Sequence, residues 1–371
     1  MKKYIVTTAG GLGNQMLNYC VWYYLKFKEH KKAILYPKEK DLHDHNGYEI
    51  NSIFVNAQKP CLPNRNIDKY IKLQQKINKY TSFVQKQFGI SFIGNLIYKY
   101  SPIQLIEFPN WYSYTFLDNF LPEVKNIFSF PPDQELQNKE LIKIMSKSES
   151  VSLHVRRGDY QNNPRWRMIL GDICNKKYYD DAIKLVISKK KDPQFFVFSD
   201  DINWVKKNLS IPNATFINWN KKENSFRDMQ LMASCKTNII ANSTFSLMAT
   251  WLNINENCWH IVPKKWRNYY NDQTYKKYIP DSQYWTIINN EHPNVSIILT
   301  KTASTKEIIN ILKQSYTDFE LIVHKDQIIH LNDKRIKTYY ESPQGNHIFQ
   351  CKDISIYQDR KFLEKQLADQ I

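Results

Sequence analysis

Apolar and polar residues alternate along the chain in short segments that predict strands and helices in turn. Residues 3–8 form a mostly apolar run typical of a strand, and a glycine-rich loop follows it. Further along, Leu17, Val21 and Leu25 recur at the spacing of one helix face. A second strand is predicted at 33–36. This strand–loop–helix–strand order is typical of α/β proteins.

A second alternating series begins after the Pro131-Pro132 pair. Its strands are predicted at 151–155, 194–198, 214–217, 237–241 and 258–262, and its helices at 176–190, 202–208, 225–235 and 243–252. Strands that alternate with helices imply a parallel, doubly wound sheet. We therefore expect an N-terminal α/β domain over residues 1–132 and a second α/β domain over 133–285.

Residues 294–371 start the pattern afresh, with predicted strands at 295–299 and 319–323 around a helix at 304–314. This segment predicts a small βαβ-like tail. Residues 67–100 are Lys-rich, amphipathic and predicted to be mostly helical. The sequence leaves open whether this segment touches a membrane.

The chain has 371 residues and a net charge of +16. That charge is compatible with an acidic partner, or it reflects a Lys-rich composition. Only nine of the 52 basic residues are arginines, and four of these, Arg156, Arg157, Arg165 and Arg167, fall within twelve residues. Because the guanidinium fork grips phosphate at two points, this cluster predicts an anion-binding site.

The six cysteines form no C-x-x-C pair and have no histidine cluster beside them, which argues against structural zinc. No apolar run approaches the ~18 to 20 residues of a membrane span. We expect a soluble, cytoplasmic protein that can rest on a membrane surface.

The first candidate site is the loop Gly10-Gly11-Leu12-Gly13, followed by Asn14 and Gln15. Met16 stands where a dinucleotide-binding loop needs its third glycine, which disfavours NAD. A plain tight turn remains one interpretation. In the other, the two amide side chains point into a ligand cleft.

The second candidate site follows the strand at 151–155. His154 and Arg156 lie on the same side of that strand, and Arg157 and Asp159 come next. Ligands bind at the carboxyl ends of strands in open α/β sheets. The segment is either a salt-bridged surface turn or a pair of arginines that binds a diphosphate, in which case cationic side chains replace a metal.

Two further segments end strands. Asp200 and Asp201 are either a metal site or, for at least one of them, the N-cap of the next helix. Asn242, Ser243, Thr244 and Ser246 form an ordinary N-cap or an anion pocket at a helix start. Upstream, Asp228 is a candidate hydrogen-bond acceptor for a purine or ribose.

Together these segments resemble the bacterial α-1,2-fucosyltransferases of glycosyltransferase family 11. The matching segments are Gly10–Met16, Gly47–Ile50, His154–Tyr160, Cys174–Tyr179, Phe198–Asp201, Leu231–Cys235 and Ile239–Asn253. The tail resembles the opening βαβ of a family 2 glycosyltransferase, but His324-Lys325-Asp326 stands where an acidic run is expected. We expect no catalysis from the tail.

The resemblance implies a GT-B-like fold, with two Rossmann-like domains whose parallel sheets face a central cleft. It implies inverting transfer of L-fucose from GDP-β-L-fucose to O2 of a terminal β-galactoside, in O-antigen or capsule synthesis, without a metal or other cofactor. The expected partners are GDP-fucose and a galactose-terminated oligosaccharide that can be lipid-linked.

The resemblance also assigns roles to the candidate residues. Arg156 would hold the β-phosphate of GDP, with His154 and Arg157 in support. The turn at 242–246 would hold phosphate or ribose, and Asp228 the nucleoside. Candidates for the general base are Asp159, Glu49 and His45.

Two alternatives remain at this point. One is a transferase that uses another GDP-sugar or another acceptor position. The other is a basic nucleic-acid-binding protein, which the clustering of arginine, rather than its interleaving with aromatic residues, disfavours.

Overall fold

The structure is a computed structural model of the 371-residue chain. All statements below concern its described residues, which are 2–8, 10–37, 46–61, 64–88, 101–107, 114–269, 272–293, 295–314, 318–324, 326–327, 331, 333–337, 343–345, 347–351, 357 and 362–363.

By its internal contacts the chain divides into two compact units. The first comprises residues 1–143, 219–234 and 243–256, and the second comprises 144–218, 235–242 and 257–371. Two segments that the sequence assigns to the second domain, 219–234 and 243–256, thus pack within the first unit. The predicted domain bounds themselves stay a prediction.

The first unit contains a three-stranded parallel sheet. Its strands are β1 (Lys3–Thr8), β2 (Lys32–Pro37) and β3 (Ile103–Ile106), in the order β2-β1-β3. The first two match the predicted strands. The sequence pattern missed β3, because it has only four residues and only Ile106 is fully buried.

Thirteen α-helices lie in the described part of the chain. They are α1 (Leu12–Tyr23), α2 (Ile50–Ile53), α3 (Arg65–Phe88), α4 (Leu121–Ile127), α5 (Leu136–Lys147), α6 (Gly158–Asn162), α7 (Pro164–Leu170), α8 (Lys176–Lys189), α9 (Ile202–Asn208), α10 (Phe226–Ser234), α11 (Thr244–Trp251), α12 (Tyr275–Tyr278) and α13 (Thr305–Leu312). None of these helices is both long and apolar enough to cross a bilayer.

The second unit is built on a six-stranded parallel sheet. Its strands are β4 (Ser150–Val155), β5 (Gln194–Ser199), β6 (Ala214–Ile217), β7 (Thr237–Ile239), β8 (Trp259–Pro263) and β9 (Trp285–Ile288). The order β6-β5-β4-β7-β8-β9 is that of a doubly wound Rossmann sheet. The direction of winding reverses between β4 and β7, and ligands of such sheets bind at the carboxyl ends of the strands at that point.

One face of this sheet packs on helix α8. Its buried core includes Val151, Leu153, Val197, Ile239 and Ile261, whose side chains lie on one face because alternate residues of a strand point the same way. The predicted α/β class with parallel sheets is confirmed. The chain thus contains two parallel sheets in succession, one of three strands and one of six. Two parallel α/β sheets in succession are the arrangement expected of a GT-B-like fold.

The tail also forms a parallel sheet and belongs to the second unit. Its strands are β10 (Val295–Leu299), β11 (Phe319–Ile322), β12 (Ile336–Lys337) and β13 (His347–Cys351), in the order β12-β11-β10-β13. Lys265 donates to the carboxylate of Asp318 at 2.7 Å, and both side chains are buried. The predicted βαβ pattern is confirmed, and the buried ion pair fixes the tail to the segment after β8.

Candidate functional site

Two loops meet at the carboxyl ends of β4 and β5. The strands pair in parallel with Val155 beside Ser199, so the residues that follow each strand become neighbours. These are Arg156 and Arg157 on one side, and Asp200 and Asp201 on the other. The edge of the sheet therefore carries two cations and at least two carboxylates side by side.

Arg156 is held between two carboxylates. Its Nη2 donates to Asp159 Oδ1 at 2.7 Å, and its Nη1 lies 2.9 Å from Asp200 Oδ2. Gly158 leaves room for this arrangement, because a Cβ there would lie 2.6 Å from Asp200 Oδ2. The guanidinium also lies 5.5 Å from the ring centre of Tyr160. Its orientation is thus fixed before any ligand binds.

Arg157 is held by the other loop. Its backbone N–H donates to Asp200 Oδ1 at 2.8 Å, and its Nε lies 3.3 Å from Asp201 Oδ2. The guanidinium stacks over Trp204 at 4.1 Å from the ring centre. Asp201 also accepts from the backbone N–H of Trp204 at 3.0 Å and so caps α9. The predicted helix cap is confirmed for this residue.

His154 lies buried at the end of β4. Burial, and to a lesser extent Arg156, lower its pKa to about 4, against the opposing effect of Asp200. The imidazole is therefore neutral at pH 7, so His154 supplies no positive charge there. Because the folded pKa lies below the unfolded value of about 6.5, this histidine stabilises the fold less as pH falls from about 6.5 towards 4.

Asn242 holds together the loops around this edge. Its side-chain amide donates to the carbonyl oxygens of Leu170 at 3.1 Å and Trp266 at 3.3 Å. Its own carbonyl accepts from the Tyr160 hydroxyl at 3.4 Å. The side chain of Asn242 thus forms its hydrogen bonds within the protein. Its predicted contact with the sugar-nucleotide donor stays a prediction.

In the first unit, the side chains of Gln15 and Asn14 form hydrogen bonds with other residues of the protein. Gln15 is buried, and its amide donates to the Gly10 and Gly47 carbonyls at 3.0 and 2.7 Å and accepts from the Glu49 N–H at 2.8 Å. Asn14 Oδ1 accepts from the Thr244 hydroxyl at 2.9 Å. Gln15 therefore positions the loop around residues 47–49. A direct contact of Asn14 or Gln15 with the sugar-nucleotide donor stays a prediction.

The start of α11 packs against α1 in the same unit. A Cβ at Gly13 would lie 2.5 Å from the Thr244 carbonyl carbon, so glycine is what permits this approach. Ser243 caps α11 by accepting from the Phe245 N–H at 3.3 Å. The buried Ser246 hydroxyl donates to the Ser243 carbonyl at 3.3 Å. The predicted N-cap is confirmed, and an anion pocket here stays a prediction.

Asp228 ends a chain of hydrogen-bonded side chains, of which Asn138 and Asn220 are buried. Trp219 Nε1 donates to Asn138 Oδ1 at 2.9 Å, Asn138 donates to Asn220 Oδ1 at 2.9 Å, and Asn220 donates to Asp228 Oδ1 at 2.8 Å. Burial raises the pKa of Asp228 to about 7, against the lowering effect of the Asn220 hydrogen bond. Nothing in the sequence indicated this network, because its members are up to 90 positions apart.

Of the candidate bases, Asp159 lies beside Arg156, as described above. Glu49 is buried, and its Oε1 accepts from the Asn46 amide at 3.1 Å. His45 lies outside the described residues. Among the residues that the structure does describe, no group of three or more His, Cys, Asp or Glu side chains is placed to hold a metal ion.

The doubly wound sheet carries Arg156 and Arg157 at the carboxyl end of β4, and we call this the paired-arginine edge. It defines the class as an α/β protein of the Rossmann type with two arginines at its switch point. The sequence profile described as Glycosyl transferase family 11 matches residues 1–289. The chain belongs to this family and is a glycosyltransferase.

Two relatives from Escherichia coli are similar over most of their length. An alpha-1,2-colitosyltransferase is 31% identical over 71% of this chain and 91% of its own. The O-antigen biosynthesis glycosyltransferase WbnK is 30% identical over 70% and 93%. The human galactoside alpha-(1,2)-fucosyltransferase 1 is 32% identical over a shorter segment, 28% of each chain.

Among solved structures, the fucosyltransferase NodZ from Bradyrhizobium aligns over 67% of this chain and 92% of its own. It has 13% sequence identity and a TM-score of 0.39. The E. coli heptosyltransferase WaaC aligns over 78% and 95%, with 9% identity and a TM-score of 0.34. TM-scores this low do not establish a common fold, and the fold assignment rests on the sheets described above.

Proposed function

We propose that the chain transfers L-fucose, with inversion, from GDP-β-L-fucose to O2 of a terminal β-galactoside during bacterial surface-glycan synthesis at the cytoplasmic face of the inner membrane. Membership of family 11 supports the reaction class. The names of the relatives WbnK and galactoside alpha-(1,2)-fucosyltransferase 1 support the acceptor position and the O-antigen pathway.

The observation that carries the proposal is the paired-arginine edge. Arg156 uses two nitrogens on Asp159 and Asp200, while a guanidinium has five N–H donors in all. It can therefore keep a carboxylate and still donate to a phosphate oxygen. Donors oriented in advance towards developing charge are the largest single contribution in many transferases.

The local charge indicates how the donor enters. Two arginines here face three carboxylates, those of Asp159, Asp200 and Asp201. A diphosphate adds further negative charge, so one carboxylate must release its arginine when the donor binds. Asp159 bonds Arg156 alone, whereas Asp200 also accepts a backbone N–H and Asp201 caps a helix. We assign the exchange to Asp159.

The remaining roles follow from the family resemblance. His154 and Arg157 support the β-phosphate, the former as a neutral imidazole. The turn at 242–246 binds phosphate or ribose, and Asn14 and Gln15 contribute to donor binding. Asp228 accepts hydrogen bonds from the nucleoside. No metal is assigned, because the resemblance implies that cationic side chains replace it.

Release of Asp159 from Arg156 would also free a carboxylate to accept the acceptor hydroxyl proton. Direct displacement needs such a base in line with the leaving diphosphate. Comparing Asp159→Asn with Glu49→Gln separates the two described candidates. The variant that removes the base should have a kcat lowered ~100-fold or more, with GDP affinity unchanged or improved. The kcat of the other variant should fall much less.

The test of the whole proposal mixes the protein with GDP-fucose and either lactose or N-acetyllactosamine, and reads the product linkage by NMR. An α-1,2 linkage is expected, and Arg156→Ala should abolish turnover while circular dichroism shows an intact fold. A product at another position, or full turnover in Arg156→Ala, would contradict it.

Colitose is a second candidate for the transferred sugar, because one relative is named an alpha-1,2-colitosyltransferase. Colitose is the 3-deoxy form of L-fucose, so one assay with GDP-fucose, GDP-colitose and GDP-mannose distinguishes the donors. A site with a hydrogen-bonding partner for O3 should strongly prefer fucose, since losing a buried partner is costly.

A further inference from the structure

Helix α3 carries its basic residues on one face. Arg65, Lys69, Lys72, Lys76 and Lys79 are separated by four, three, four and three positions, and all five are exposed. At 3.6 residues per turn this spacing places them within roughly a quarter of the helix circumference. We call these five residues the basic face of α3.

The opposite side of α3 packs on the sheet of the first unit. Ile71 is buried against Ile5 and Tyr36, with Ile67 and Tyr70 beside them. Since these residues lie across the helix from the lysines, the basic face points away from that core.

The positive charge of this face is not balanced along the helix. Among residues 65–80, all of which the structure describes, Asp68 is the sole acidic residue. Its Oδ1 accepts from the Tyr36 hydroxyl at 2.9 Å, so this carboxylate is engaged by strand β2. The five cations therefore face one carboxylate along this stretch, and that carboxylate already accepts a hydrogen bond from the sheet.

Two large apolar side chains lie along the edge of the basic face. Leu73 is 56% exposed and Tyr80 is 64% exposed. They are seven positions apart, so they project from the same side of the helix, next to Lys69 and Lys76. An exposed apolar pair beside cations is the composition of helices that lie in a membrane interface.

We propose that the basic face of α3, together with Leu73 and Tyr80, binds the surface of an anionic phospholipid bilayer. Charge complementarity favours a lipid headgroup or another polyanion, and the exposed apolar pair decides between them. A nucleic-acid backbone gives Leu73 no apolar surroundings, whereas the boundary between headgroups and acyl chains does. The basic side chains are mostly Lys, which suits a diffuse anionic surface better than bidentate phosphate recognition.

This inference does not depend on the sugar that the enzyme transfers. The basic face belongs to the first unit, and Arg156 and its carboxylates belong to the second. Vesicle binding and turnover on a soluble acceptor can therefore fail independently, which keeps the two proposals distinguishable.

The test is co-sedimentation of the full chain with vesicles of phosphatidylcholine alone or with 30% phosphatidylglycerol. We expect binding only to the anionic vesicles, weakened by salt. Each basic residue near such a surface strengthens binding roughly 5-fold, so Lys69→Glu with Lys76→Glu should weaken it at least ~25-fold. Turnover on lactose should stay unchanged.

The matched control reverses two exposed lysines of the second unit, Lys184→Glu with Lys191→Glu, and so alters net charge equally. It should bind vesicles within about 3-fold of the wild type if net charge matters little. Leu73→Ser with Tyr80→Ser should weaken binding and leave a remainder that salt removes. Equal losses in both charge-reversal variants, no preference for anionic vesicles, or tighter binding to nucleic acid through the same lysines would overturn the proposal.

Discussion

Arg156 and Arg227 are held in opposite ways. Arg156 is 31% exposed in its side chain and bonds two carboxylates at the end of a strand. Arg227 is 10% exposed, and its guanidinium donates to the carbonyl oxygens of Pro131 at 2.6 Å and Pro132 at 3.1 Å. Its nearest described carboxylate, that of Asp133, lies 3.7 Å away.

The difference separates a cation that can exchange partners from one that cannot. A carboxylate can be replaced at Arg156 by a phosphate, because one anion substitutes for another at an accessible edge. The carbonyl oxygens at Arg227 belong to the main chain and stay where they are. We therefore expect Arg156 to serve the proposed reaction and Arg227 to serve the fold.

The largest expected effect is on turnover in Arg156→Lys. An ammonium keeps the charge but lacks the planar fork with which a guanidinium can hold the Asp200 carboxylate and a phosphate at once. We expect kcat/KM to fall ~100- to 1,000-fold, with the melting temperature nearly unchanged. Steady-state kinetics and thermal denaturation on one preparation measure both. A large loss of stability in this variant would erase the contrast with Arg227.

Asp228→Asn should stabilise the protein at alkaline pH. The folded pKa of about 7 lies above the unfolded value, so the folded protein binds a proton more tightly between about pH 4 and 7. The stability contributed by the protonated form is therefore lost as pH rises to 7, at roughly 1.4 kcal/mol per pKa unit.

We therefore expect Asp228→Asn to be more stable than the wild type by roughly 2 to 4 kcal/mol at pH 8, and by much less at pH 5. If Asp228 binds the nucleoside, the same variant should bind GDP more weakly. Urea denaturation at both pH values, with calorimetric titration of GDP, measures these effects. Equal stability gains at pH 5 and pH 8 would contradict the assignment of the raised pKa.

Arg227→Lys should affect stability and leave catalysis of the folded fraction intact. Loss of the hydrogen bonds from this buried guanidinium to two main-chain carbonyls costs about 2 to 3 kcal/mol. Urea denaturation should show that loss, while kcat per folded molecule stays within about 2-fold. A 100-fold drop in kcat with normal stability would assign Arg227 to the reaction instead of the fold.

The sequence predicted what local patterns determine. The strands β4 and β5, the Arg156–Asp159 segment and the cap at Asp201 all follow from residues close together in the chain. It could not predict that Gly13 is required by the backbone of Thr244, 231 positions away, or that Arg227 binds the Pro131 carbonyl. Those roles depend on tertiary packing, which leaves no short-range signal.

The smallest expected effect distinguishes the two neighbouring aspartates after β5. Asp201 caps α9, so Asp201→Ala should lower the free energy of unfolding by about 1 kcal/mol. Asp201→Asn keeps an acceptor for the Trp204 N–H and should lower it by only a few tenths of that amount. Asp200 instead bonds Arg156 and the Arg157 N–H, so Asp200→Asn should lower turnover more than stability. Denaturation and kinetics on all three variants would measure the split. If Asp201→Asn lowered turnover as much as Asp200→Asn, the negative charge of both aspartates would matter for the reaction. The division between Asp201 as a helix cap and Asp200 as the partner of the arginines would then be wrong.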